Sequence, residues 1–231
     1  MKRFYAAVDT APEAVGHVVR LDARPVRTPA RNALAIPSLA LAEAVAEEWR
    51  RQGEEIAPDT MPLTRLATTV LDLMPARRED AVEEAAGFAG TDLLCYRAAT
   101  PQVLSAGQRA AWQPWLDWAE RQYDARLIVT DTVDPLPQPE AALQALRRAV
   151  ERLDDWRLVG LHAATTLTGS LVLALALERQ ALDAARAFET ALLDELFEIE
   201  RWGEETMQQR RHARLRADLE AAATYLRLLA A

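Results

Sequence analysis

A chain of 231 residues, 50% apolar and 27% charged, is long enough to bury one large core or two modest ones and too apolar to stay disordered. Its formal net charge of −8 disfavours a general role in binding nucleic acid or an anionic membrane surface. Cys95 is the only cysteine, which excludes an internal disulfide and a cysteine-built metal site and suits a reducing cytoplasm.

In chain order, MKRFY at the start has no signal-peptide pattern and leads straight into what reads as structure. HVVRLD at residues 17–22 alternates like a half-buried strand, and a turn at Ala23 and Arg24 feeds a short extended run over 26–29. Residues 33–37 predict another short strand, and a further one is expected at 3–8. Pro25, Pro29 and Pro37 would hold these strands at edges or ends of a small meander. Ser38 then offers a cap to a helix over 39–52, where Leu41, Val45 and Trp49 have helical spacing and Gly53 follows.

From here helical periodicity dominates. Separate helices are predicted over 63–74, behind Pro62, and over 77–87. The tryptophan-rich stretch 102–123 predicts a longer helix that Pro114 kinks or divides. Residues 127–130 read as a short strand returning to the N-terminal sheet, and Pro135, Pro137 and Pro139 mark a loop. Helices follow over 140–152, 156–168, 170–179, 183–202 and 206–229. The uncharged stretch 158–177 has the length of a membrane span. However, His162, three threonines, Ser170, Gly160 and Gly169 predict a buried core helix broken near Gly169. The pattern is an α+β fold: a small β-rich α+β domain at residues 1–60, with a meander and one helix, then an all-α helical bundle at 61–231.

Catalytic signatures are missing. The glycines form neither a dinucleotide fingerprint nor a phosphate loop, and no nucleophile elbow is present. His17, His162 and His212 stand singly, His162 reading as a core histidine with a backbone partner. Cys95, in the apolar run LLCY, reads as a buried structural thiol. The arginines are spread along the chain rather than clustered. These features point away from an enzyme, a cofactor, a resident metal or a small-molecule substrate.

The helix end DELFEIERWG at residues 194–203 is more informative. On a helix over 183–202, Phe188, Leu192, Leu196 and Ile199 form the core stripe, with Glu195 and Trp202 together on its border. Asp194 and Glu198 lie on the outer side and Glu200 near the opposite border. Carboxylates at a helix C-terminus oppose the macrodipole, so local stability does not explain them. Three explanations stay open. Glu195 pairs with an arginine of a neighbouring helix, such as Arg65; or the strip is a recognition patch for a basic partner, anchored by Trp202; or Glu195 and Glu198 hold a divalent metal, as in a metal-dependent helical hydrolase.

At these residues the chain resembles the assembly chaperones for the catalytic head of F-type ATP synthase, in the branch that handles the α subunit. The resemblance runs through KRFY at the start, LDARPVRTP at 21–29, LAEAVAEEWRRQ at 41–52 and MPLTRLATTVLD at 61–72. It continues through TDLLCYRA at 91–98, WQPWLDW at 112–118, Gly169-Ser170 and DELFEIERWGEE at 194–205. Ala23 stands where the family usually has glycine, and Glu198 where it has glutamine. The resemblance implies an ATP-independent chaperone of the bacterial cytoplasm that holds the unassembled α subunit. Asp194, Glu195, Glu198, Glu200 and Trp202 would be its contacts, with Arg65 and Asp72 in support. A metal-dependent hydrolase and a generic interaction scaffold are the alternatives.

Overall fold

The computed structural model describes residues 1–230 except 133 and 135, so Pro135 of the expected loop lies outside the described residues. The sheet is organised around β2 (Gly16–Leu21), whose Val18 and Val19 are buried. β1 (Val8–Glu13) pairs with it antiparallel, Val8 opposite Leu21 and Glu13 opposite Gly16. β3 (Arg24–Pro25) and β4 (Ala35–Ile36) share its other edge, one at the Leu21 end and one at the His17 end.

The strand expected at residues 3–8 therefore begins only at Val8. The residues before it pair instead with the segment behind the first helix: Arg3 N–H donates to the Glu54 carbonyl and Ile56 N–H to that of Met1, both at 2.8 Å. Gly16, at φ +93°, is required, because a Cβ there would sit 2.4 Å from the Ile36 carbonyl oxygen. The next turn has no glycine. Asp22 and Ala23 both take left-handed backbone, at φ 48° and 66°, while the Asp22 carboxylate accepts the Ala6 and Ala7 N–H groups at 3.0 and 2.8 Å.

Helix α1 (Leu39–Arg50) lays Leu41, Ala42, Val45 and Ala46 into the core. Its cap, Ser38, accepts from the Leu41 N–H and donates to the Leu228 carbonyl at 2.5 Å, joining the first helix to the last. The two helices expected at 63–74 and 77–87 are one, α2 (Pro62–Gly87), running through Pro75. Pro75 has no N–H to give the Leu71 carbonyl, and the Asn32 side-chain amide donates to that carbonyl instead, at 3.3 Å. Helix α3 (Gln102–Tyr123) likewise passes Pro114 undivided.

Residues 127–130 do not return to the N-terminal sheet. Thr130 forms a parallel bridge with Tyr96, donating to the Cys95 carbonyl at 2.8 Å and accepting from the Arg97 N–H at 2.9 Å. Ile128 finds its partner in a side chain, exchanging two hydrogen bonds with the Gln138 amide at 2.7 and 2.9 Å.

The remaining helices are α4 (Glu140–Glu151), α5 (Asp155–Thr168), α6 (Leu171–Glu178), α7 (Ala184–Ala191), α8 (Leu193–Trp202) and α9 (Thr206–Leu229). The break expected near Gly169 is there, with that residue left-handed at φ +67° between α5 and α6. Every residue of α6 is buried. Among the described residues no helix is long and apolar enough to cross a membrane.

Beside the α6 N-terminus lies TDLLCY. Asp92, fully buried, accepts the Leu94 and Val172 N–H groups at 3.1 Å each. Cys95 is buried as expected, and burial, with the Asp92 charge, pushes its thiol up to about 12, so it is inert. Buried side chains from Tyr5 and Val19 through Leu94 and Leu161 to Leu226 form a single hydrophobic cluster.

Candidate functional site

The stretch expected as one helix over 183–202 is two, α7 and α8, meeting at Leu192. No glycine or proline causes the break. Helix α3 does: the Trp112 indole N–H donates to the Thr190 carbonyl at 2.8 Å, and the Gln108 side-chain amide donates to Asp194 at 2.7 Å. The diverted Thr190 carbonyl is the one a continuous helix would offer to the Asp194 N–H.

This relocates the charges. Asp194 and Glu195 fall in the first turn of α8, where negative charge suits the helix dipole. Only Glu198 and Glu200 stand towards its C-terminus. The expected core stripe is likewise interrupted: Phe188 and Leu192 are buried, Leu196 is partly buried, and α8 has no fully buried residue.

Helix α8 ends at Gly203, φ +84°, and the chain doubles back into α9, which packs along α5 and α7 and reaches α8 through the side chains of Arg211 and His212. The base of this hairpin is locked. Glu195 accepts from Arg211 at 2.5 Å and is bonded to His212 Nε2 at 2.9 Å, while His212 Nδ1 meets Glu204 at 3.0 Å. His212 is buried, with its ring edge-on to Phe188, and the Arg216 guanidinium lies 4.1 Å from the other ring's centre. Burial pushes the Glu195 carboxyl up, but the hydrogen bonds from His212 and Arg211 outweigh it and hold the group below its usual value.

The internal pair anticipated for Glu195 thus exists with a different cation. Arg65 faces Asp218 at 3.4 Å. Asp72 gathers the 28–32 loop, accepting from Thr28, Asn32 and the Ala30 N–H at 2.5, 2.9 and 2.9 Å. Neither touches the α8 end directly. His162 also differs from expectation: it is half-buried, and its partner is the Glu84 carboxylate at 3.0 Å rather than a backbone group.

Beyond the locked base the hairpin tip faces water. Glu198 and Glu200 are exposed and have no ion-pair partner among the described residues, and Trp202 is 86% exposed. Met207 stands 80% exposed across the Gly203 turn. Arg201 folds back onto the Phe197 ring at 4.2 Å. Of the five expected contacts, the structure leaves Glu198, Glu200 and Trp202 exposed, with Glu198 and Trp202 one turn apart on the same side of α8 and Glu200 on the other. It half-buries Glu195 in a clasp and spends Asp194 on Gln108.

Glu195 already has a cation, the Arg211 guanidinium, and Glu198 takes no part in that clasp. Among the described residues no group of three or more His, Cys, Asp or Glu side chains is placed to hold one. His212 and Arg211 were missed in the sequence. The available signal was symmetry, since Glu195 and His212 lie equally far along the chain on either side of the Gly203–Glu204 junction.

Residues 2–120 match the family described as ATP12 chaperone protein. The crystal structure of Atp12 from Paracoccus denitrificans has a TM-score of 0.94 and 38% identity, over 99% of this chain and 98% of that one. A candidate chaperone from Agrobacterium tumefaciens matches at TM-score 0.94 and 38% identity, over 99% of this chain and 86% of the other. The chain belongs to the ATP12 chaperone family.

Proposed function

We propose that this protein is an ATP-independent assembly chaperone, not an enzyme, that holds the unassembled α subunit of the ATP synthase catalytic head in the bacterial cytoplasm. An unpaired subunit exposes apolar interface that invites aggregation, and a stoichiometric partner can cover it until the stronger contact with the β subunit displaces that partner. The observation that carries the reading is the hairpin tip. A tryptophan left 86% in water, with Glu198 one turn before it and without an ion-pair partner among the described residues, packs against nothing in the core, yet it has the composition of an interface anchor with a charged rim. Glu198 and Glu200 would meet basic residues of the client and speed encounter, and Trp202 would supply buried contact area. Glu195 acts behind them, fixing the hairpin through Arg211 and His212.

Capture of the α subunit from the native host by the tagged chain tests this. Trp202→Ala should weaken capture by about 2 kcal/mol, roughly thirtyfold, as loss of an aromatic anchor does. Glu198→Lys should also weaken it. Both variants should keep the wild-type circular dichroism spectrum, because neither side chain is packed. Failure of the wild-type chain to recover the α subunit under gentle conditions would sink the proposal.

A further inference from the structure

A second surface, opposite in charge to the tip, lies on the flank of the same hairpin. Where α5 gives way to α6, a groove of about 710 Å³ opens against α9. Leu93, Leu167, Leu192 and Leu215 give it an apolar floor, and Arg210, Arg211 and Arg214 stand along its α9 side. It continues towards α2 past Arg65, which shares Asp218 with Arg214 at 3.4 and 3.7 Å. Four guanidinium groups thus face two carboxylates, Glu195 and Asp218, on a chain whose net charge is −8. Arg210 has no ion-pair partner among the described residues, and Arg214 is 81% exposed.

We infer that this groove is a docking site for an acidic, leucine-rich segment of a protein partner, taken up with its apolar side chains on the leucine floor and its carboxylates on the α9 arginines. Charge complementarity selects the occupant. Guanidinium forks pair with carboxylates in two-pronged fashion, and the exposed Arg210 and Arg214 have the freedom to do so. A basic segment would be repelled. A purely apolar one would leave the rim charges without partners, and a groove of this volume accepts several side chains at once. The inference stands apart from the client's identity, because it concerns a different face from the Trp202 tip.

Fluorescence anisotropy with a short labelled peptide of alternating leucine and glutamate tests it. A peptide with lysine in place of glutamate, and the Arg210→Glu, Arg214→Glu double variant, complete the set. The wild-type chain should bind the acidic peptide and not the basic one, and the double variant should bind it about tenfold more weakly or worse. The variant's folding is checked by its thermal melt; both arginines are exposed, and the Asp218 contact of Arg214 is worth little. No binding of the acidic peptide, equal binding of both peptides, or undiminished binding by a folded variant would each overturn the inference. So would a wild-type dimer in sedimentation that the double variant abolishes, since the groove would then hold a second copy of the chain. The α-subunit capture with Trp202→Ala reads the other face, so the two proposals fail separately.

Discussion

Asp92 sits wholly inside the protein with only backbone N–H groups and Ser170 to offset its charge, and burial pushes its carboxyl from 3.8 up to about 6. Its native value is the higher one, so the stability it contributes is fully present below pH 3.8 and is lost as pH rises through about 6. The loss over that window amounts to about 3 kcal/mol. Glu195 works the other way. With its native value lowered, its contribution is present above the ordinary 4.5 and is lost as pH falls through the native value. Chemical denaturation of Asp92→Asn and Glu195→Gln across pH 3 to 7 should therefore tilt the stability profile in opposite senses. The advantage of wild type over Asp92→Asn should shrink as pH rises, and its advantage over Glu195→Gln should shrink as pH falls. Such roles were half legible in the sequence. Apolar neighbours announced that Cys95 is buried, whereas nothing local announced that Asp92 reaches across to cap the distant α6.

Helix α9 lies against α5 at Gly160, where an added Cβ would come within 2.6 Å of a Leu226 methyl and 3.0 Å of the Tyr225 ring. The glycine is there to let two helices approach, not to make a turn. Gly160→Ala should force the pair apart and cost about 1–3 kcal/mol in equilibrium denaturation, as overpacking does, despite alanine's better helix propensity. Helix ends set by caps were read correctly at Ser38 and at Gly169, because the signal is carried by the residue at the end itself. The errors came where distant groups intervene. Asn32 supplies the donor that lets α2 pass Pro75, and Trp112 and Gln108 split α7 from α8 without any breaker residue. A local pattern contains neither partner.

Across the whole molecule, charge is sorted by face. The hairpin tip carries carboxylates that have no ion-pair partner among the described residues, while the first half of α9 presents Arg210, Arg211 and Arg214 beside the groove, so arginines scattered along most of the chain gather here. The tip can be picked out in the sequence, because an acidic run ending in tryptophan is contiguous. The groove cannot, because its floor comes from four separate segments that only folding assembles. The tip also has an optical consequence. Trp112 is fully buried, Trp49, Trp115, Trp118 and Trp156 pack against the core, and Trp202 alone stands in water. Its indole should emit at the longest wavelength and be the first quenched by added iodide. Client binding at the tip should shift that emission to the blue and shield it from iodide, and Trp202→Phe should erase both changes. The protein thus carries an unlabelled reporter of its own occupancy at the spot proposed to meet the client.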